Sequence, residues 1–236
     1  MPEVGVIIPA YNEGPRLGKV LEVVTGCPRV SQTVVVDDGS TDNTAAVAGG
    51  YPVALVRHGV NRGKGAAFQS GLPQVREMDI VLFLDADLVN LRPDHLDSLV
   101  APLRDCRRAQ MSIGTFKKGR WEVDLQQRFF SVLNGQRALS RALVENLPDL
   151  SWSRFGVEVL LSRFAAHIRA EINEVLLYGL THTLKEEKFG LARGFQARVK
   201  MYYEALRAAV IWKQMLERGE NSSREEPEKT AGEEVS

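Results

Sequence analysis

The chain has 236 residues, with 30 basic and 30 acidic side chains and no formal net charge. That length suits one large domain or two small ones and buries a core without disulfides. Zero net charge gives no argument for a nucleic-acid partner, which calls for a strongly basic domain. Hydrophobic residues make up 44% and charged residues 25%, an ordinary soluble globular composition. Two cysteines, Cys27 and Cys106, make no disulfide framework and fit a reducing compartment. The N-terminal residues do not form a signal peptide, and no apolar run is long enough to span a membrane. The expectation is a cytoplasmic protein.

In chain order, Val4–Ile8 is a β-branched run that predicts a strand. Gly14–Thr25 carries Leu17, Val20, Leu21 and Val24 at helical spacing. Thr33–Val36 is a second strand, and Thr41–Ala48 a short helix with Ser40 or Thr41 placed to cap it. Val53–Val56 is a third strand, Lys64–Arg76 a helix and Ile80–Leu84 a fourth strand. Further on, Gln110–Phe116 predicts a strand, Leu125–Leu133 a helix and Pro148–Arg154 a loop. Gly156–Ile168 predicts a helix carrying Glu158, Ile172–Leu177 a strand, and Gly190–Glu217 a long amphipathic helix. Beyond Glu217 the chain lacks large apolar residues apart from Val235, so residues 217–236 are expected to form a disordered acidic tail.

Continuous apolar strands separated by helices predict an α/β fold with a mostly parallel sheet covered on both faces. Ligands of such sheets bind beyond the carboxyl ends of the strands. Asp85 and Asp87 follow the strand of VLFLDADL. Two carboxylates this close are relieved by a divalent cation, and hard oxygens suit Mg²⁺ or Mn²⁺. A solvated turn or helix cap would use the same residues. Asp37 and Asp38, in VVVDDGSTDNT, can accept hydrogen bonds from a base or from ribose hydroxyls, or can simply cap the next helix. Asn61-Arg62-Gly63-Lys64-Gly65 precedes a helix. Its glycines, basic groups and helix dipole are phosphate chemistry in outline, and equally a polar helix start. Glu13 can meet a ribose or sit on a helix dipole, and His182 can add an imidazole to a carboxylate-bound cation or be solvated.

Four segments, VGVIIPAYNE, VVVDDGSTDNT, NRGKGAAFQSGL and VLFLDADL, occur in this order. Together they resemble the family 2 glycosyltransferases, over roughly residues 4–88. The second half (LNGQRALSRALVENLP, WSRFGVEVLL and the His182 segment) is similar in a looser way. It resembles the polyprenyl-phosphate glycosyltransferases and the glucosyl-3-phosphoglycerate synthases. The resemblance implies a GT-A fold, a Rossmann-like mostly parallel central sheet flanked by helices, over residues 1–216. Residues 1–88 would be the nucleotide-binding half and residues 89–216 the acceptor half, closed by a C-terminal amphipathic helix.

The implied activity is a metal-dependent glycosyltransferase using a UDP- or GDP-linked sugar and a small phosphorylated or polyprenyl-phosphate acceptor. By resemblance, Pro9, Tyr11, Glu13, Asp37, Asp38, Lys64, Asp85 and Ala86 line the nucleotide site. Asp87 and His182 hold Mg²⁺ or Mn²⁺, Gly135, Gln136 and Arg137 lie beside the acceptor or sugar, and Glu158 and Asp85 are the catalytic carboxylates. A phosphate acceptor would need cations, and Lys117, Lys118 and Arg120 are the candidates. A non-catalytic nucleotide-sugar-binding protein and a nucleotidyltransferase are the alternatives. The final helix suits packing on the domain or on a second copy as a homodimer, or peripheral contact with a membrane. Residues 217–236 carry seven acidic and three basic groups, so the neutral total hides a body of net charge +4 and a tail of −4. A basic body suits an anionic donor.

Overall fold

The structure, a computed structural model, describes residues 2–106, 108–115, 135–182 and 202–217. Nine strands and their helices alternate along it. In chain order they are β1 (Val4–Ala10), α1 (Gly14–Thr25), β2 (Val30–Asp37), α2 (Thr44–Ala48), β3 (Ala54–Arg57) and α3 (Lys64–Val75). Then come β4 (Ile80–Phe83), β5 (Leu88–Val89), α4 (Pro93–Asp105), β6 (Ala109–Thr115), β7 (Arg137–Ser140) and α5 (Arg141–Glu145). A 3₁₀ turn (Arg154–Gly156), α6 (Val157–His167), β8 (Glu171–Leu176), β9 (Thr181–His182) and a helical segment over residues 202–217, α7, complete it.

Seven strands form one sheet in the order β3-β2-β1-β4-β7-β6-β8. β1 pairs in parallel with β2 and β4, β2 with β3, and β6 with β8, while β7 runs antiparallel to both β4 and β6. This is the mostly parallel sheet that the continuous apolar runs imply. The strands are buried from both sides, so each face has its own core. On one face Val6, Ile8 and Leu82 meet α1 and α4 through Leu17, Val20, Leu21, Val24, Leu96 and Leu99. On the other, Ile7, Val34, Val36 and Phe83 meet α3 and α6 through Phe68, Leu72, Leu160 and Phe164. α1 forms where it does because its apolar residues fall on one stripe. Full burial of each is worth about 1.5–3 kcal/mol, and Pro15 suits the first turn.

Several elements depart from the sequence expectation. α2 begins at Thr44, not Thr41: its N-cap is Asn43, and the Oδ1 of Asp42, one residue earlier, accepts the Thr44 N–H at 2.9 Å. Ser40 serves another loop instead, its Oγ accepting the Asn12 N–H at 2.9 Å. α4, α5, β5, β7 and β9 have no counterpart in the expectation. The expected helix Leu125–Leu133 and the tail beyond Glu217 lie outside the described residues, as does the start of the Gly190–Glu217 helix. In α7, Ala205, Ala208 and Trp212 pack inward, with Trp212 edge-on to Phe164 at 6.1 Å. Tyr203, Leu206 and Val210 stand exposed on its other side. Among the described residues no helix is long and apolar enough to cross a membrane.

Two features of this topology build the site. First, the carboxyl ends of β1, β2, β3 and β4 share one sheet edge. Because β7 is antiparallel, with Arg137 opposite Phe83, its leading residues Gly135 and Gln136 arrive at that same edge. Second, the small ribbon of β5 and β9 pairs Leu88 with His182 and Val89 with Thr181. It places the His182 backbone opposite Leu88, the residue that follows Asp87.

Candidate active site

The loops after β1 and β2 are laced together by side chains bonding backbone. Asn12, in the left-handed region at φ 55°, accepts the Thr41 N–H on Oδ1 at 2.9 Å. Thr44 Oγ1 accepts the Glu13 N–H at 2.9 Å, and Asp42 Oδ2 accepts that of Gly14 at 3.1 Å. Pro9, in β1, is half-buried opposite Val36, and Tyr11 stands 47% exposed at the edge. Glu13 sits at the start of α1 with its carboxylate 3.2 Å from the Arg16 guanidinium.

Asp37 and Asp38 are both buried, and both hold loops. Asp37 Oδ1 accepts the Ser40 N–H at 3.0 Å, and its Oδ2 takes the Arg57 guanidinium at 3.3 Å. Asp38 accepts the N–H groups of Arg62 (2.8 Å) and Gly63 (2.7 Å), and lies 2.6 Å from His58 Nδ1. Two amides of NRGKG, a segment that the sequence offers to a phosphate, are thus engaged by a carboxylate. Gly39 between these loops has φ +76°, and a Cβ there would lie 2.7 Å from the Asn61 nitrogen; only glycine fits.

Lys64 opens α3 and is the hinge of the site. Its ammonium is 2.5 Å from Asp85 Oδ1 and 2.5 Å from Glu158 Oε1, above the Phe68 ring at 5.7 Å. The three side chains are between 9% and 17% exposed, so the cluster is nearly dehydrated. Burial opposes the charge on Lys64, but the attraction and hydrogen bonds of Asp85 and Glu158 outweigh it and raise its pKa. Asp85 Oδ2 also accepts from Gln136 Nε2 at 2.8 Å. Gly135 presses on the same carboxylate: a Cβ there would lie 2.6 Å from Lys64 Nζ and 2.7 Å from Asp85 Oδ1. Ala86 is buried between Asp85 and Asp87, and Asp87 is half-buried.

Arg137 was expected beside the acceptor or sugar. Its guanidinium is fully enclosed instead, donating to Ser162 Oγ at 2.9 Å behind Glu158. Burial pulls it down to about 10, against the charge of Glu158, which still leaves it cationic at neutral pH. Two cations and two carboxylates, Lys64, Arg137, Asp85 and Glu158, therefore balance in a low-dielectric pocket. Lys117, Lys118 and Arg120 lie outside the described residues, and only the backbone of His182 is described.

The donor set fits a hard divalent cation. Asp85 and Asp87 supply oxygens beside the ribbon that carries His182, and Asp85 already holds a cationic group, the Lys64 ammonium. Among the described side chains no three acidic, histidine or cysteine groups converge on one point. Chemically, the edge offers a cation, carboxylates for a metal or for hydroxyl groups, and an exposed aromatic side chain.

The model of the family described as Glycosyl transferase family 2 matches residues 5–161, more than half of the chain. The chain belongs to glycosyltransferase family 2. Among the relatives of this chain, the glucosyl-3-phosphoglycerate synthase of Mycolicibacterium paratuberculosis is 37% identical over 109 residues, 42% of this chain and 33% of that one. The dolichyl-phosphate β-glucosyltransferase of Drosophila melanogaster is 36% identical, over 43% of this chain and 36% of that one. The chain thus spans only about a third of the length of these curated relatives. A solved structure of glucosyl-3-phosphoglycerate synthase from Mycobacterium tuberculosis, with Mn²⁺, uridine diphosphate and glucosyl-3-phosphoglycerate, superposes with a TM-score of 0.72 at 25% identity. The match covers 89% of this chain and 79% of that one. The fold is therefore the GT-A arrangement.

For a family 2 glycosyltransferase the sequence located the strand-end carboxylates but not their connections. Lys64, Asp85 and Glu158 lie far apart in the chain, and no local spacing announces their meeting. The one signal of His58 is position, directly after a strand and beside the Asp38 strand end.

Proposed function

We propose that this chain transfers a sugar from a nucleoside-diphosphate sugar, a uridine diphosphate sugar first, to a small phosphorylated acceptor. The observation that carries this reading is the convergence of Lys64, Asp85 and Glu158 at the strand ends, beside Asp87 and the His182 ribbon. The Mn²⁺, uridine diphosphate and glucosyl-3-phosphoglycerate bound by the Mycobacterium tuberculosis protein support the donor and acceptor classes.

On this reading the exposed Tyr11 and the loop that holds Glu13 border the nucleoside, with Pro9 in the strand beneath and Asp37 and Asp38 behind the base. Asp87 and His182 hold Mg²⁺ or Mn²⁺, with Asp85 facing the ribose or a metal-bound water. A divalent cation there supplies positive charge to the leaving diphosphate. Lys64 turns from Glu158 towards the diphosphate and adds its own charge where negative charge develops. Glu158, released and held from behind by Arg137, orients a donor hydroxyl or accepts the acceptor's proton. Gly135 leaves room for the sugar, and Gln136 keeps Asp85 aligned.

An acceptor panel tests the proposal. The chain is incubated with a UDP-sugar series, Mn²⁺, and either 3-phosphoglycerate, glycerol 3-phosphate or a short polyprenyl phosphate. The expected product is a glycosylated small phosphorylated acid. Transfer to polyprenyl phosphate alone would assign the chain to the lipid-phosphate branch. Tight nucleotide binding without transfer to any acceptor would make it a binding protein.

A further inference from the structure

His58 is a nearly buried side chain to which the mechanism above gives no part. It follows β3, and its N–H donates to the Asp37 carbonyl at 2.9 Å, which fixes its backbone across from Asp38. Its ring then links two elements. Nδ1 lies 2.6 Å from Asp38 Oδ1 and Nε2 lies 2.9 Å from Ser70 Oγ on α3. The His58 and Asp38 side chains are each only 5% exposed. A carboxylate partner accepts, so Nδ1 carries the proton. In the neutral ring Nε2 then accepts from the Ser70 hydroxyl.

Asp38 shows what this linkage protects. A carboxylate offers about four acceptor positions. Two on Oδ1 are filled by the Arg62 N–H and His58 Nδ1, and one on Oδ2 by the Gly63 N–H. Among the described residues these three donors leave one acceptor position, on Oδ2. Its direction is fixed only while the other three donors hold the carboxylate plane. Two of these are amides of the loop that leads into Lys64. His58 is the third, and it is anchored to the sheet and to α3, not to that loop.

We propose that His58 is a positioning residue for nucleoside recognition. Braced by Ser70, it locks Asp38 so that a single acceptor site faces a base N–H, as uracil N3–H requires, and it steadies the loop that delivers Lys64. The inference rests on the nucleotide-sugar reading above and deepens it, from a class of donor to the residue that sets its base selectivity. Cytosine has no N3–H, so a fixed single acceptor favours UDP over CDP. A carboxylate free to rotate could turn to the cytosine amino group.

The test is calorimetric titration of the full chain with UDP and with CDP in the presence of Mn²⁺, alongside thermal melting. His58→Ala is expected to weaken UDP about tenfold, the scale of one lost hydrogen bond to a charged group, and to lower the UDP-to-CDP preference by several-fold. His58→Asn, whose amide can donate to Asp38, is expected to recover most of both. Ser70→Ala, a milder change, is expected to lower the preference while melting near the parent. If Asp38→Asn changes UDP affinity but His58→Ala and Ser70→Ala leave both affinity and preference intact, the role of His58 is overturned. A loss of affinity equal for UDP and CDP in both variants also overturns it, since a purely structural role would give that. If Asp38→Asn itself leaves UDP binding and preference unchanged, the placement of Asp38 behind the base fails, and the inference fails with it.

Discussion

At the scale of the residue, the site is governed by one cation shared between two carboxylates. Lys64 pairs with both Asp85 and Glu158 in a largely buried pocket, and removing one partner of a buried ion pair leaves the others uncompensated. Lys64→Met is therefore expected to destabilise the fold by about 3 kcal/mol in urea unfolding, near the low end for a broken buried pair because the cluster keeps some solvent. Mn²⁺ with UDP should restore part of that loss by binding the folded state and supplying charge beside Asp85. A variant as stable as the parent would show that the cluster is already solvated. The sign of the pH dependence follows. The Lys64 pKa is raised, so its stabilisation is complete below its ordinary value near 10.5 and is lost only as pH rises through the higher folded value. The stability gap between parent and Lys64→Met should thus stay level from pH 7 to 10 and narrow above that.

At the scale of the element, short pieces of structure decide what meets what. The β5–β9 ribbon is two residues on each side, yet it carries His182 to the position beside Asp87. It adds little to global stability, because few backbone bonds hold it. Thr181→Pro, which removes a backbone donor in the ribbon, is expected to lower Mn²⁺ affinity about tenfold in the presence of UDP while moving the melting temperature by only a few degrees. Unchanged Mn²⁺ affinity would take His182 out of the metal site. The ribbon was invisible in the sequence, since two-residue strands carry no periodicity. α4 was different. Leu96, Leu99, Val100 and Leu103 recur at helical spacing after Pro93, a start signal that was there to be used. β7 and α5 carry no such signal, because a four-residue strand runs straight into a five-residue helix and neither is long enough to show its period.

At the scale of the whole molecule, the parallel strands were legible because burial on both faces makes them continuous apolar runs. The rule that ligands bind beyond their carboxyl ends then pointed to Asp38, Lys64, Asp85 and Asp87 before any contact was known. What could not be read was closure. Glu158 and Gln136 come from the second half, and only the antiparallel placement of β7 and the packing of α6 behind it bring them to Asp85. Arg137 shows the same limit, since the sequence marked it as polar and near the site but not as enclosed. The hidden charge split, a basic body against an acidic tail, agrees with an anionic donor at that edge. The most direct test of the account is nucleotide release from a panel of UDP- and GDP-sugars, with Mn²⁺ and a phosphorylated acceptor, for the parent chain and Asp87→Ala. The expected result is release that a chelator abolishes and that Asp87→Ala lowers by at least about a hundredfold. Release indifferent to both chelator and substitution would contradict it.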